Sequence, residues 1–247
     1  MKFIFLFVFF IVNTHHVIII IPGTWATTAT WYKPKGDFFE AVKQADKNSA
    51  TIAFNWSCKI RHQDREIAAS QLISTIESYP ENTEFTIIAH SHGGNVGIMA
   101  SQQLKKPCIK AFYGLGVPVS NESYYPNMDV IQKYFNLFSW EDLVQPLVGY
   151  ERMYEAHDRI WNISIKLNGL SPDHINMHHY LVGRWIFYVE KIFKDNKNWW
   201  INFKPKDFDC GIEYDRQDQL EFDQYVINQI PSLLCTDKTI SINNLRI

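Results

Sequence analysis

Ser91 stands between two histidines in Ala89-His90-Ser91-His92-Gly93, with the apolar run Phe85-Thr86-Ile87-Ile88 before it and the helix-like stretch Gly94-Asn95-Val96-Gly97-Ile98-Met99-Ala100 after it. A serine hydroxyl becomes a nucleophile when a histidine removes its proton and an acid holds that histidine in place. A strained strand-to-helix turn that presents such a serine brings backbone so close that small residues are needed two positions before and two after it. Ala89 and Gly93 meet that need, so the segment reads as a nucleophile elbow. A serine in an ordinary turn would lack partners further along the chain.

Partners are present, in the order serine, acid, histidine that this type of sheet requires. The aromatic run Tyr134-Phe135-Asn136-Leu137-Phe138 leads into Ser139-Trp140-Glu141-Asp142, and Asp142 is the predicted acid. Glu141 competes with it, Asp129 and Asp158 lie further off, and the plainer role for Asp142 is to cap the next turn or helix. The alternation Ile160-Trp161-Asn162-Ile163-Ser164-Ile165-Lys166-Leu167 stops at Asn168-Gly169 and enters a loop carrying His174, the predicted base. His178 is the alternative base, and His179 lies beside it inside the following apolar run. His174 and His178 also have helical spacing for a shared metal. Ile175, however, stands where a helical zinc hydrolase carries its general-base glutamate, so no metal and no other cofactor is expected. Val17-Ile18-Ile19-Ile20-Ile21-Pro22-Gly23-Thr24 supplies a buried strand and a tight loop. From it the amide of Thr24, with the amide of His92 after the nucleophile, would form an oxyanion hole.

Together these residues resemble the α/β-hydrolase family, and its lipase and esterase branches in particular. His90-Ser91-His92-Gly93-Gly94-Asn95 looks like the family's elbow and Pro22-Gly23-Thr24 like its oxyanion loop, while Asp142 and His174 match its acid and base in order. The likeness covers roughly residues 15–194. Pro22 replaces a histidine frequent before the loop glycine, and Ala89 replaces the usual first elbow glycine. The resemblance implies a serine hydrolase that cleaves carboxylic esters, lipid or other apolar acyl esters first among them, through a Ser-His-Asp triad and an acyl-enzyme. An amidase or peptidase, or an acyltransferase, would use the same residues; a non-catalytic binding protein would keep the fold and tolerate Ser91→Ala.

The elements needed to position these groups can be read from periodicity. Strands are predicted over 17–21, 51–56, 85–90, 109–115, 134–139 and 160–167, and helices over about 62–79, 93–105 and 175–194. Alternating strands and helices predict an α/β fold, a mainly parallel sheet with helices on both faces. Residues 118–133 are too few for a large lid. Trp25, Trp31, Tyr32, Tyr124 and Tyr125 flank the expected crevice and would line an apolar acyl pocket.

At 247 residues the chain can build one core, and residues 15–194 are assigned to it. Residues 195–247 fit the plan poorly and are expected to be an acidic appendage packed on the same domain. Lys2 followed by the apolar stretch Phe3 to Val12 resembles a secretory signal, so residues 1–14 are expected to direct export to the periplasm or medium, or else to anchor the protein. Four cysteines carry no Cys-x-x-Cys pattern, and Cys210 with Cys235 is the expected pair. A net charge of −2 with scattered Lys and Arg excludes a nucleic-acid-binding face. The expected partner is a small-molecule or lipid ester, the latter bringing peripheral membrane contact with it; oligomeric state is left open.

Overall fold

Isoleucine and valine on both faces of a strand require cover on both sides, and the chain supplies it by alternating strands with helices. A computed structural model describes residues 15–149, 151–193 and 199–212. The elements run β1 (His16–Ile21), α1 (Asp37–Ala45), β2 (Ala50–Ala53), α2 (His62–Glu77), β3 (Glu84–His90), α3 (His92–Gln103), β4 (Ile109–Leu115), β5 (Tyr134–Phe138), α4 (Val144–Gly149), β6 (Ile160–Leu167), α5 (Tyr180–Ile192), β7 (Trp199–Phe203) and β8 (Phe208–Ile212). They build one eight-stranded sheet in the order β2-β1-β3-β4-β5-β6-β7-β8, parallel throughout except for β8. Val17, Ile19 and Ile21 point to the face covered by α2 and α3, where they meet Ala69, Leu72, Val96 and Ile98. Ile18 and Ile20 point to the face covered by α1 and α5, against Phe38, Val42, Leu181 and Ile186.

The six predicted strands and the helices over α2 and α3 are present, with local differences. The strand expected over 51–56 ends at Ala53; Phe54 still donates to the Ile20 carbonyl at 2.9 Å, but Trp56 turns its indole N–H onto the Pro22 carbonyl at 2.8 Å. The helix expected over 175–194 is broken. Ile175–His178 forms a single 3₁₀ turn, and α5 begins only after His179, whose Nδ1 accepts the Leu181 amide at 3.2 Å. The sheet also extends past residue 194, because Trp199–Phe203 pairs in parallel with β6 and Phe208–Ile212 returns antiparallel to it. Residues 1–14, Cys235 and most of the acidic tail lie outside the described residues, so the expectations for the leader and for the Cys210–Cys235 pair concern segments beyond them.

Parallel pairing of seven neighbouring strands, β2 through β7 in sheet order, brings all their carboxyl ends to one edge. Open α/β sheets place their ligand crevice there.

Candidate active site

Ser91 is the hinge of a turn between the last residue of β3 and the first of α3. Its φ of 53° and ψ of −135° lie outside the region that a non-glycine residue adopts without strain. Bonds on either side hold it there: its amide donates to the Leu115 carbonyl of β4 at 2.9 Å, and its carbonyl accepts from the Gly94 amide at 2.8 Å.

His174 arrives from the loop after β6 and Asp142 from the turn after β5. The Nε2 of His174 lies 2.9 Å from Ser91 Oγ, and its Nδ1 lies 2.8 Å from Asp142 Oδ2. A carboxylate can only accept, so Nδ1 carries the hydrogen and the lone pair of Nε2 faces the serine hydroxyl. Asp142 is fully buried and uses its other oxygen, Oδ1, to accept the amides of Val144 at 2.9 Å and Gln145 at 3.2 Å. The capping role and the role of acid partner, which looked like alternatives, coexist on one carboxylate. Glu141 is exposed, and Asp158 pairs with His157 and Arg159, away from His174.

Gly116, at the end of β4, has a φ of +58°, and a β-carbon on it would stand 2.9 Å from Asp142 Oδ2 and 3.4 Å from His174 Nδ1. Only glycine fits behind that pair. Gly23 brings Thr24 up to the elbow, and the neighbouring Trp25 amide is already taken by the Cys58 carbonyl at 2.8 Å. His92 opens α3, so its amide is one of the helix's free N-terminal donors.

His90, which the motif alone gives no role, donates through Nε2 to the carbonyl of His174 at 2.9 Å. The residue before the candidate nucleophile thereby ties down the backbone of the candidate base. Burial, and then the charges of His174 and His178, hold His90 well below the ordinary histidine range. Burial, with Arg65 and His174 adding to it, pushes His92 down to about 4. Burial likewise brings His178 to about 4. All three rings are therefore neutral at pH 7, leaving no permanent cation of theirs to oppose an imidazolium at His174.

Among the described residues it is His174, and not His178, that hydrogen-bonds Ser91. His178 stacks on Trp31, with ring centroids 4.0 Å apart and planes within 3°, and meets His90 edge-on at 4.9 Å. Among the described residues no group of three His, Cys, Asp or Glu side chains converges as a metal would require. The five aromatics divide. Trp31 borders His90, and Trp25 is 66% exposed on the loop after β1. Tyr32, by contrast, is buried with its hydroxyl on Asn55; Tyr124 bonds Arg65 and His62; and Tyr125 packs against Tyr154.

No protein-family model and no curated protein matches the sequence. Among solved structures, the chain is similar to a cutinase-like protein from Cryptococcus sp. at 16% identity, over 43% of this chain and 56% of that one, with a TM-score of 0.33. It is also similar to mouse alpha/beta hydrolase domain-containing protein 10 at 14% identity, over 72% and 90%, with a TM-score of 0.44. A protein from Xanthomonas campestris assigned to the alpha/beta superfamily of hydrolases gives 12% identity over 72% and 99%, with a TM-score of 0.45. The chain spans little more than half the length of the cutinase-like protein. The parallel sheet, the strained serine between strand and helix, and the carboxyl-edge positions of Asp142 and His174 are this chain's own geometry. Together they are the architecture of the α/β-hydrolase fold.

Proposed function

We propose that the protein is a serine hydrolase acting on carboxylic esters. The observation that carries this reading is the line from Ser91 Oγ through His174 to Asp142, with steps of 2.9 and 2.8 Å. His174 Nε2 takes the hydroxyl proton as Ser91 Oγ attacks the ester carbonyl. Asp142 holds the imidazole in the Nδ1–H tautomer and stabilises the imidazolium. The amides of Thr24 and His92 receive the developing oxyanion. His174 then gives its proton to the leaving alkoxide, and a water activated by the same ring hydrolyses the acyl-enzyme.

An apolar acyl group is favoured by what surrounds the mouth. Trp25 follows β1, Ile60 follows β2, Val144, Leu147 and Val148 lie on the short helix just past Asp142, and Leu170 and Ile175 follow β6. All are exposed hydrophobics on connections at the carboxyl edge, and such residues concentrated on one edge mark an apolar contact site.

Labelling with a fluorophosphonate, followed by peptide mass spectrometry, tests the reading. An adduct on Ser91, slowed in His174→Ala, and ester hydrolysis lost in Ser91→Ala are expected. A folded protein that remains unlabelled, or that hydrolyses esters equally well without Ser91, overturns it.

A further inference from the structure

Arg152 sits in the segment between α4 and β6, ten residues beyond Asp142 in sequence, and only 3% of it is exposed. Burying a guanidinium is costly unless its donors are satisfied. Here Nη1 donates to the carbonyl of Ser139 at 2.6 Å and also to the carbonyl of Asp142. These carbonyls mark the two ends of the acid-bearing turn, which is otherwise closed by a longer bond from the Asp142 amide to the Ser139 carbonyl at 3.2 Å. The guanidinium carbon also lies 5.9 Å from the ring centroid of Trp140, inside the same turn. One buried cation thus grips both ends and the middle of the four residues that present Asp142.

The grip has a foundation in the sheet. Asn136 of β5 donates through Nδ2 to the Arg152 carbonyl at 2.8 Å and to Asn162 Oδ1 at 2.9 Å. Asn162 is the register partner of Asn136 on β6, and it exchanges bonds with both the amide and the carbonyl of Tyr154 at 2.9 Å. The backbone is therefore anchored at Arg152 to β5 and at Tyr154 to β6, while the Arg152 side chain reaches the turn. Arginine suits the task because it carries several donors in a rigid plane; lysine supplies the charge without that geometry.

We propose that Arg152 is a positioning residue for Asp142: it holds the acid-bearing turn so that the carboxylate meets His174 Nδ1 in the geometry that supports the imidazolium. The proposal rests on the hydrolase reading above.

Arg152→Lys keeps the charge and removes the two-carbonyl grip. With an activated short-chain ester, kcat is expected to fall about a hundredfold, the cost of a misplacement of about 1 Å, with KM unchanged. The acid limb of the kcat/KM profile should move to lower pH, because a displaced carboxylate supports the imidazolium less well. In an Asp142→Asn background the same substitution should cost almost nothing, since there is no longer a carboxylate to position. Asn136→Ala, which loosens the Arg152 backbone and leaves the guanidinium in place, should show a weaker version of all three effects and covers the case in which Arg152→Lys does not fold. Equal losses in both backgrounds, or a reduced rate with an unmoved pH profile, would mean that Arg152 only supports the fold. Undiminished activity in Ser91→Ala would instead remove the hydrolase reading itself.

Discussion

Gly23 passes so close to Ser91 that a β-carbon at position 23 would lie 2.8 Å from the serine's own Cβ and 3.1 Å from the His90 carbonyl oxygen. The loop carrying Thr24 and the elbow carrying Ser91 can share this space only while residue 23 has no side chain. Gly23→Ala should push the loop away and take the Thr24 amide with it. The expected result is a fall in kcat of about 10²- to 10³-fold, the cost of one oxyanion donor, with KM little changed. Steady-state kinetics checked against circular dichroism decide it, and an undiminished kcat in folded protein would exclude Thr24 from the oxyanion hole.

The divided carboxylate of Asp142 separates catalysis from stability. Asp142→Asn keeps an oxygen for the Val144 and Gln145 amides but presents the wrong group to His174 Nδ1. It should lose about 10⁴-fold in kcat, as expected for a base held in the wrong tautomer. Asp142→Ala should lose a similar factor and, in addition, about 1 kcal/mol or more of stability with the cap. Thermal melts run beside the kinetics distinguish the two; equal melting temperatures would mean that the cap contributes nothing.

Acid should destabilise the fold through the neutral histidines around the site. His92 and His178 titrate near 4 when folded, against an ordinary value of 6.5. Between those values the unfolded chain binds more protons, so the stability they contribute is complete above pH 6.5 and is lost as pH falls through about 4. Each contributes a slope of about 1.4 kcal/mol per pH unit within that window. His92→Asn, which preserves the backbone amide, should flatten the dependence by about one proton's worth in urea titrations at several pH values. An unchanged slope would show that His92 is already protonated or exposed in the native state.

The sheet's centre was legible in sequence because β1 and β3 bury both faces and so need near-continuous apolar runs. The elbow was legible because crowded backbone around Ser91 demands small residues. Other parts leave no such trace. Helix α1 is nine residues long, so its buried Phe38, Phe39 and Val42 span little more than one turn. Strands β7 and β8 are joined by a tight turn closed by Lys204 and Asp207, and they mix tryptophans with polar residues as a sheet edge does. The break before α5 depends on a single side chain, His179, capturing one amide within an otherwise helical pattern. His90 and Arg152 act on backbone carbonyls of residues distant in sequence, and a carbonyl, present at every position, gives a motif nothing to recognise.

The short helix α4 begins just beyond Asp142, so whatever it shows to solvent lies beside the candidate acid. It shows Leu147 and Val148, each about two-fifths exposed, when its own buried residues are Gln145, Pro146 and Gly149. This inversion makes sense if an apolar acyl chain leaves the site across this helix, since each methylene it covers is worth about 0.8 kcal/mol. Replacing both Leu147 and Val148 by serine should lower kcat/KM about tenfold for a long-chain ester and leave an acetate ester unaffected, because only the longer acyl group reaches them. Both side chains already face water, so stability should hardly change. Hydrolysis rates across a series of chain lengths provide the check. Parallel losses at every length would place the acyl path elsewhere, with the exposed Trp25 on the loop after β1 the next surface to alter.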